Sequence, residues 1–298
     1  MKKSTKVVLI FGIIFFTLGI ILISVGSICG GLRSSLRWLK NGDLNFSFGI
    51  FDWYHSSHDL NDNYPVFEGD GVETVSLNVD SIREFVLSAE GADVEISTSE
   101  ENVVTMRYEN AWNVLCFVEE DILYVIQEVR GIRLSGNTKV YVTVPSYIDM
   151  DEIYIEAGAG KIIINDMDSR KTVVELGAGK LEMNNVNTGS TDIEIGAGSA
   201  TIVDGKTTDF KIDVGAGSFN YEGIVAGNVN AECSMGNIHM DIIGKKSDYN
   251  YNVDCAMGKI TVGGSSYGGL GSEKSVDNGS DKTLDLDCSM GNITVKFK

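Results

Sequence analysis

Seven carboxylates stand at one position of a recurring phrase. Glu156, Glu175, Glu194, Asp213, Glu232, Asp254 and Asp287 each lie four residues before a glycine, and those glycines are Gly160, Gly179, Gly198, Gly217, Gly236, Gly258 and Gly291. If the copies stack, the acids form an outward row about 4.8 Å apart. Each neighbouring pair then repels by roughly 0.8 kcal/mol even in water. Two readings fit the row. In one it is a solvated stripe, partly balanced by Lys161, Lys180 and Lys259, which follow the bend in three copies. In the other, calcium bridges carboxylates of adjacent copies, since calcium takes oxygen ligands with loose geometry. The chain lacks the Asp-rich nonapeptide of calcium-binding β-rolls, and no other cofactor is expected.

The remaining reactive side chains are scattered. Five cysteines occur with no CxxC and no Cys/His cluster, so neither a zinc site nor a thioredoxin-like motif is indicated. Cys233, Cys255 and Cys288 share a column with Ala157, Leu176, Ile195 and Val214, which makes them inward apolar fillers. His55 and His58 have no third ligand nearby. His239 is the one histidine of the repeats and lies in an alternating strand, where it reads as surface. Gly-Ala-Gly is too short for a dinucleotide fingerprint, and strands follow it rather than helices. Nothing here assembles an acid, a base and a nucleophile, so no catalytic residue is named and an enzyme is not expected.

The elements that must position the acid row are strands. The final Gly of each copy follows the previous one by 19 residues through Gly236, then by 22 and 33. A fixed period near 20 residues marks a solenoid. Before each bend Ile153 with Ile155, Val174 with Leu176, and Ile193 with Ile195 share a face. After it Ile162 with Ile164, Leu181 with Met183, and Phe219 with Tyr221 do so. Period two puts these on one side of a strand, and a single copy buries that side only against its neighbours. The bend glycines are read as corners whose backbone angles side chains oppose. Stacking predicts Ile155 beside Val174 and Val174 beside Ile193. Earlier, period two also runs through Val75, Leu77 and Val79, through Phe85, Leu87 and Ala89, and through Val140, Val142 and Val144. No helical period follows residue 30. The fold class is all-β: stacked β-solenoid repeats preceded by one transmembrane helix.

That helix is Val7–Ile28, 22 residues without a charge behind Lys2, Lys3 and Lys6, read as a retained anchor, with a signal peptide cleaved near Ser24-Val25-Gly26 as the alternative. At 1.5 Å per residue it spans roughly 33 Å, about a bilayer's apolar core. The expected plan is an anchor at 1–29, an aromatic-containing juxtamembrane linker at 30–70, a first β segment at 71–150 and the Gly-bend repeats at 151–298. Within the repeats, 263–282 is a flexible Gly/Ser-rich loop. The membrane is thus a partner through a single-pass anchor, with the repeats outside the cell. The formal net charge of -18 speaks against nucleic acid, which needs clustered Lys and Arg.

With the Gly-Ala-Gly-Lys/Ser bends, the Val140-Tyr141-Val142-Thr143-Val144-Pro145 strand and the apolar amino terminus in view, the chain resembles the putative-adhesin β-strand-repeat family of bacterial surface proteins, a domain of unknown function. The resemblance covers roughly residues 70 to 298. It implies a stacked, β-helix-like fold at the cell envelope, mainly of Gram-positive bacteria, and no catalytic residues to carry over. The Cys/Met copies and the long intervals after Gly236 depart from the repeat. The function expected is a binding or adhesion scaffold that engages an envelope polymer or a membrane-protein partner. The alternative is an accessory or sensory protein in a cell-envelope stress response.

Overall fold

The computed structural model describes residues 66–75, 82–127, 138–268 and 271–298. The expected span Val7–Ile28, Cys29, the aromatic connector with His55 and His58, and the strand positions Leu77 and Val79 lie outside the described residues. No helix among the described residues is long and apolar enough to cross a membrane.

Alternating apolar residues produce strands almost throughout. In chain order these are β1 (Val66–Val75), β2 (Glu84–Ala89), β3 (Asp93–Ser99), β4 (Val104–Glu119), β5 (Ile122–Gln127), β6 (Lys139–Pro145) and β7 (Met150–Ala157). Then come β8 (Lys161–Asn165), β9 (Asp168–Leu176), β10 (Lys180–Asn184), β11 (Asn187–Ile195), β12 (Ser199–Val214), β13 (Ser218–Val225) and β14 (Val229–Cys233). The last are β15 (Asn237–Ile242), β16 (Asn250–Cys255), β17 (Lys259–Val262), β18 (Ser265–Gly268), β19 (Ser272–Val276), β20 (Thr283–Cys288) and β21 (Asn292–Phe297). β1 therefore crosses the expected boundary at residue 70, because it pairs antiparallel with β4.

Each rung has one strand before the Gly corner and one after it. The first set stacks as a parallel sheet, here the acid-bearing sheet, and the second set as its partner. Pairing is in register: Ile155 sits opposite Val174, Val174 opposite Ile193, and Leu176 opposite Ile195. On the partner sheet Ile162, Leu181, Ala200, Phe219 and Ile238 form one inward column. Leu176 and Ile195 are 3% and 1% exposed, so the dry interior the repeat requires is present. Burying each large side chain there contributes roughly 1.5–3 kcal/mol. The interior is not wholly apolar. Thr172 and Thr191 face inward and pair with Ser169 and Thr188 at 2.8 and 2.6 Å, leaving the buried hydroxyls satisfied.

The corners correct one expectation. Among the bend glycines of the phrase only Gly160 has a positive φ, +87°. The others are required by closeness. A Cβ on Gly198, Gly217, Gly236, Gly258 or Gly291 would fall closer than 3.0 Å to the carbonyl oxygen of the glycine one rung away. The opposite corner uses another device: Asp166, Asn185 and Asp204 hold φ of 58°, 52° and 54°. Asp and Asn tolerate this left-handed region better than other side chains, and Asn185 Nδ2 donates to Asp166 Oδ1 one rung below at 2.7 Å.

Rung order departs from chain order at both ends. β2 lies between β5 and β7, and β3 between β6 and β8. At the other end β20 lies between β14 and β16, and β21 between β15 and β17. The interval of 22 between Gly236 and Gly258 carries the chain past one vacant rung, about 9.6 Å instead of 4.8 Å. The interval of 33 holds the return path. Its segment 263–282, expected as a flexible loop, forms β18 and β19, which lie antiparallel on β17 and β16. At the first end β4 runs antiparallel across both β5 and β6. Short or antiparallel strands thus cover both ends of the stack, which protects edges from pairing with another chain.

Gly217→Ala is expected to lose about 2 kcal/mol or more in urea unfolding, because backbone must move to admit the methyl. Ala216→Ser, at the exposed tip of the same corner, should change stability by less than about 0.5 kcal/mol.

Candidate functional site

In-register stacking turns the repeated acid into a physical row. The pairings run Glu156, Glu175, Glu194, Asp213, Glu232, Asp287 and Asp254, with Asp287 ahead of Asp254 because β20 is inserted. Glu273 on β19 lies opposite Asp254 and extends the row. It stands outside the repeated phrase and pairs antiparallel, so periodicity gave no signal for it. Glu156 is buried, Glu175 and Asp213 are half-buried, and Glu194, Glu232, Asp287, Asp254 and Glu273 are exposed.

Two of the three lysines expected to balance the row, Lys161 and Lys180, are engaged elsewhere. Lys161 and Lys180 lie on the outer face of the partner sheet and clamp Glu182 at 2.8 and 2.6 Å. Strand alternation decides this: the corner turns the chain into the second sheet, so a residue just after the bend faces away from the acid just before it. The pair holds the Glu182 carboxyl below its ordinary range. On the acid face itself, Lys171 binds Glu152 at 2.6 Å and Lys211 binds Asp192 at 3.3 Å, neither in the row. Although Glu194 is exposed, partial desolvation of its carboxyl, then Asp213 and Glu175, push that carboxyl up. Burial first, with Asp192 adding and Lys211 opposing, pushes Asp213 up. The middle of the row is therefore under-neutralised.

Near its far end the row borders an open groove lined by Glu232, Asp287, Asp254 and Glu273, with Asn230 and Asp285 beside them. Asn252 donates to Asp285 at 2.6 Å and accepts from Ser275 at 2.8 Å. Among the described residues, no group of three or more His, Cys, Asp or Glu side chains converges closely enough to hold a metal ion.

Cys233, Cys288 and Cys255 stack inward in that order, all buried and unbridged, as the filler reading requires. Burial raises the Cys233 thiol and pushes Cys288 up to about 11, which keeps both protonated and unreactive. The matching methionines stand where the earlier copies have an Ala tip. Met235, Met290 and Met257 project from successive corners, 42%, 51% and 61% exposed. His239 is outward as expected, but it is not isolated: its Nε2 lies 3.0 Å from Asp241. Lys298 also holds Asp241, and its proximity keeps that carboxyl low.

A two-faced parallel β-solenoid with one continuous acid row defines the class of protein. The chain belongs to the Toastrack DUF4097 family, whose model matches residues 82–281. This bears out the putative-adhesin, unknown-function family expected from the repeats. No curated protein matches the chain. Among solved structures it is similar to a putative cell adhesion protein from Clostridium sporogenes, 14% identical over 78% of this chain and 100% of that one, with a TM-score of 0.36. A putative lipid binding protein from Parabacteroides distasonis is 12% identical over 76% and 96%, with a TM-score of 0.43. A putative adhesin from Bacteroides fragilis is 12% identical over 76% and 97%, with a TM-score of 0.36.

The raised Glu194 carboxyl has a signed consequence. The folded state binds this proton more readily than the unfolded chain, so folding stability rises as pH falls from 7 through the range above 4.5. Glu182 and Asp241, held low, contribute stability that is present above their ordinary values and lost as pH falls through their lowered ones. Glu194→Gln should therefore be slightly more stable than the parent at pH 7 and low salt, by at most about 0.5 kcal/mol after solvent screening, and lose that advantage by about pH 4. Thermal unfolding across this pH range checks it.

Proposed function

We propose that this protein is a non-catalytic binding scaffold, held at the membrane by Val7–Ile28 with its solenoid outside the cell, and that the acid face is its binding surface. One observation carries the reading. Seven carboxylates from Glu175 to Glu273, on seven neighbouring strands, present a linear charge repeat about 4.8 Å apart, and Lys161 and Lys180 are spent on the opposite face. A rigid row of like charge suits an extended cationic partner, such as an amine-bearing envelope polymer or a basic protein segment.

Calcium is the small-ion form of the same reading. It would bridge neighbouring carboxylates and relieve the repulsion between Glu194 and its neighbours.

Three measurements test this. Polylysine should bind the full chain with an affinity that falls steeply with salt, and Glu194→Gln/Asp213→Asn/Glu232→Gln should weaken binding at least tenfold. Equal binding by the variant would remove the acid face from the reading. Millimolar calcium should raise the melting temperature of the parent but not of the triple variant; no shift and no calorimetric heat would discard calcium while leaving the polymer. Protease added to intact cells should remove the solenoid, whereas protection would reverse the topology. Product released from cell-wall or pectic polysaccharides would overturn the non-catalytic assignment.

A further inference from the structure

Thioether sulfur is unevenly distributed over this solenoid. Among the described residues, Met106, Met150, Met167, Met183 and Met240 are core side chains, each between 0% and 4% exposed. Met235, Met290 and Met257 are 42%, 51% and 61% exposed and share one corner column. The column is contiguous. Met290 N donates to Ser234 O at 2.7 Å and Met257 N donates to Ser289 O at 2.8 Å, so each tip lies one rung from the next. Rungs repeat at about 4.8 Å. Because β20 is inserted between β14 and β16, the spatial order is Met235, Met290, Met257. The residue last in sequence is the middle one in space.

Packing does not account for these three side chains. The earlier copies place Ala159, Ala178, Ala197 and Ala216 at the same tip, so the corner closes without a long side chain. What methionine adds at a wet surface is a thioether on a stem with three rotatable bonds. A thioether carries no proton to displace. It is a soft ligand that suits Cu(I), whereas calcium and magnesium prefer oxygen.

We propose that Met235, Met290 and Met257 form a thioether site for a soft monovalent cation, Cu(I) or its redox-inert analogue Ag(I). The rung spacing fits such a site. With metal–sulfur bonds of about 2.3 Å, a linear sulfur–metal–sulfur unit spans about 4.6 Å, close to the rung spacing of about 4.8 Å. Met290 can therefore share a cation with either neighbour, and both neighbours leaning toward it complete a three-sulfur set. Met235 and Met257 are two rungs apart, about 9.6 Å, and reach a common cation only by leaning over the middle tip. Charge favours a cation here too. The same three rungs carry Glu232, Asp287 and Asp254 three residues before the tips, all exposed and lining the open groove. Their field raises the local concentration of any cation. The inference is independent of what the acid face binds, because hard cations take the carboxylates and soft ones the sulfurs.

The test uses the full chain in detergent micelles, in a Cys29→Ser background with 13C-methyl methionine labelling. Stoichiometric Ag(I) should shift the methyl signals of Met235, Met290 and Met257 and leave those of the buried methionines in place. Met290→Leu should weaken Ag(I) binding at least tenfold more than Met235→Leu or Met257→Leu, because only the last two leave an adjacent pair. All three variants replace an exposed tip by a side chain of similar size, so each should melt with the parent. Affinity should be equal at about pH 5.5 and about pH 8, whereas a thiolate ligand would lose about tenfold per pH unit on acidification. Unmoved methyl signals at saturating Ag(I), or an equal loss in all three variants, would overturn the proposal. So would binding that survives Met290→Leu and disappears in Cys233→Ala/Cys255→Ala/Cys288→Ala, which would assign the metal to the buried thiols.

Discussion

The structure depends on neighbouring rungs pairing in register at about 4.8 Å. Once parallel strands repeat at that spacing, every position of the 19-residue phrase lies over its own copy. Apolar positions become continuous dry columns, which is the favourable consequence. The unfavourable ones come from the same geometry. Corner backbones approach so closely that a side chain cannot be admitted, and like charges line up. Glycine solves the first problem at Gly198, Gly217 and Gly236, where the obstacle is the carbonyl of the rung below. The second persists in the acid row, where partial desolvation, then Asp213 and Glu175, push the Glu194 carboxyl up.

A stack of this kind has two ends, and each would expose paired-strand edges. At the far end the chain skips a rung, reverses into antiparallel strands and fills the vacancy with β20/β21, whereas at the first end it lays down β2/β3, turns outward through antiparallel β4 into β5/β6 and then passes β2/β3 to continue at β7/β8, so both become interior rungs. The final strands are therefore paired on both sides, and the exposed edges fall on other segments. At one end these are β18 and β19, short and rich in Ser, Lys and Glu. Such edges resist further pairing. The long intervals that interrupt the repeat are the covalent length this path requires.

The two faces divide the polar chemistry. On the partner sheet, charges are neutralised locally, as Glu182 is by two lysines and Asp241 by Lys298. On the acid sheet Lys171 and Lys211 pair with Glu152 and Asp192, in columns beside the row. A face that keeps uncompensated like charge on a rigid ladder loses a little stability and gains an extended attraction for cations. That trade is the physical basis for reading it as a binding surface.

Much of this was legible in the sequence, because a repeat fixes its own register. The strand class, the inward columns through Ile155, Val174 and Ile193, the buried thiols at Cys233, Cys255 and Cys288, and the alignment of the acids all follow from a 19-residue period and from strand alternation. What only the tertiary structure decided concerns non-adjacent rungs and the space around the backbone. The insertion of β20 ahead of β16 placed Asp287 before Asp254, and the antiparallel β19 brought Glu273 into the row. Lys161 and Lys180 turned out to serve Glu182, because a corner changes which sheet a residue belongs to. The bend glycines proved necessary for proximity to the next rung more than for their own torsions, and proximity across rungs leaves no local mark in a sequence.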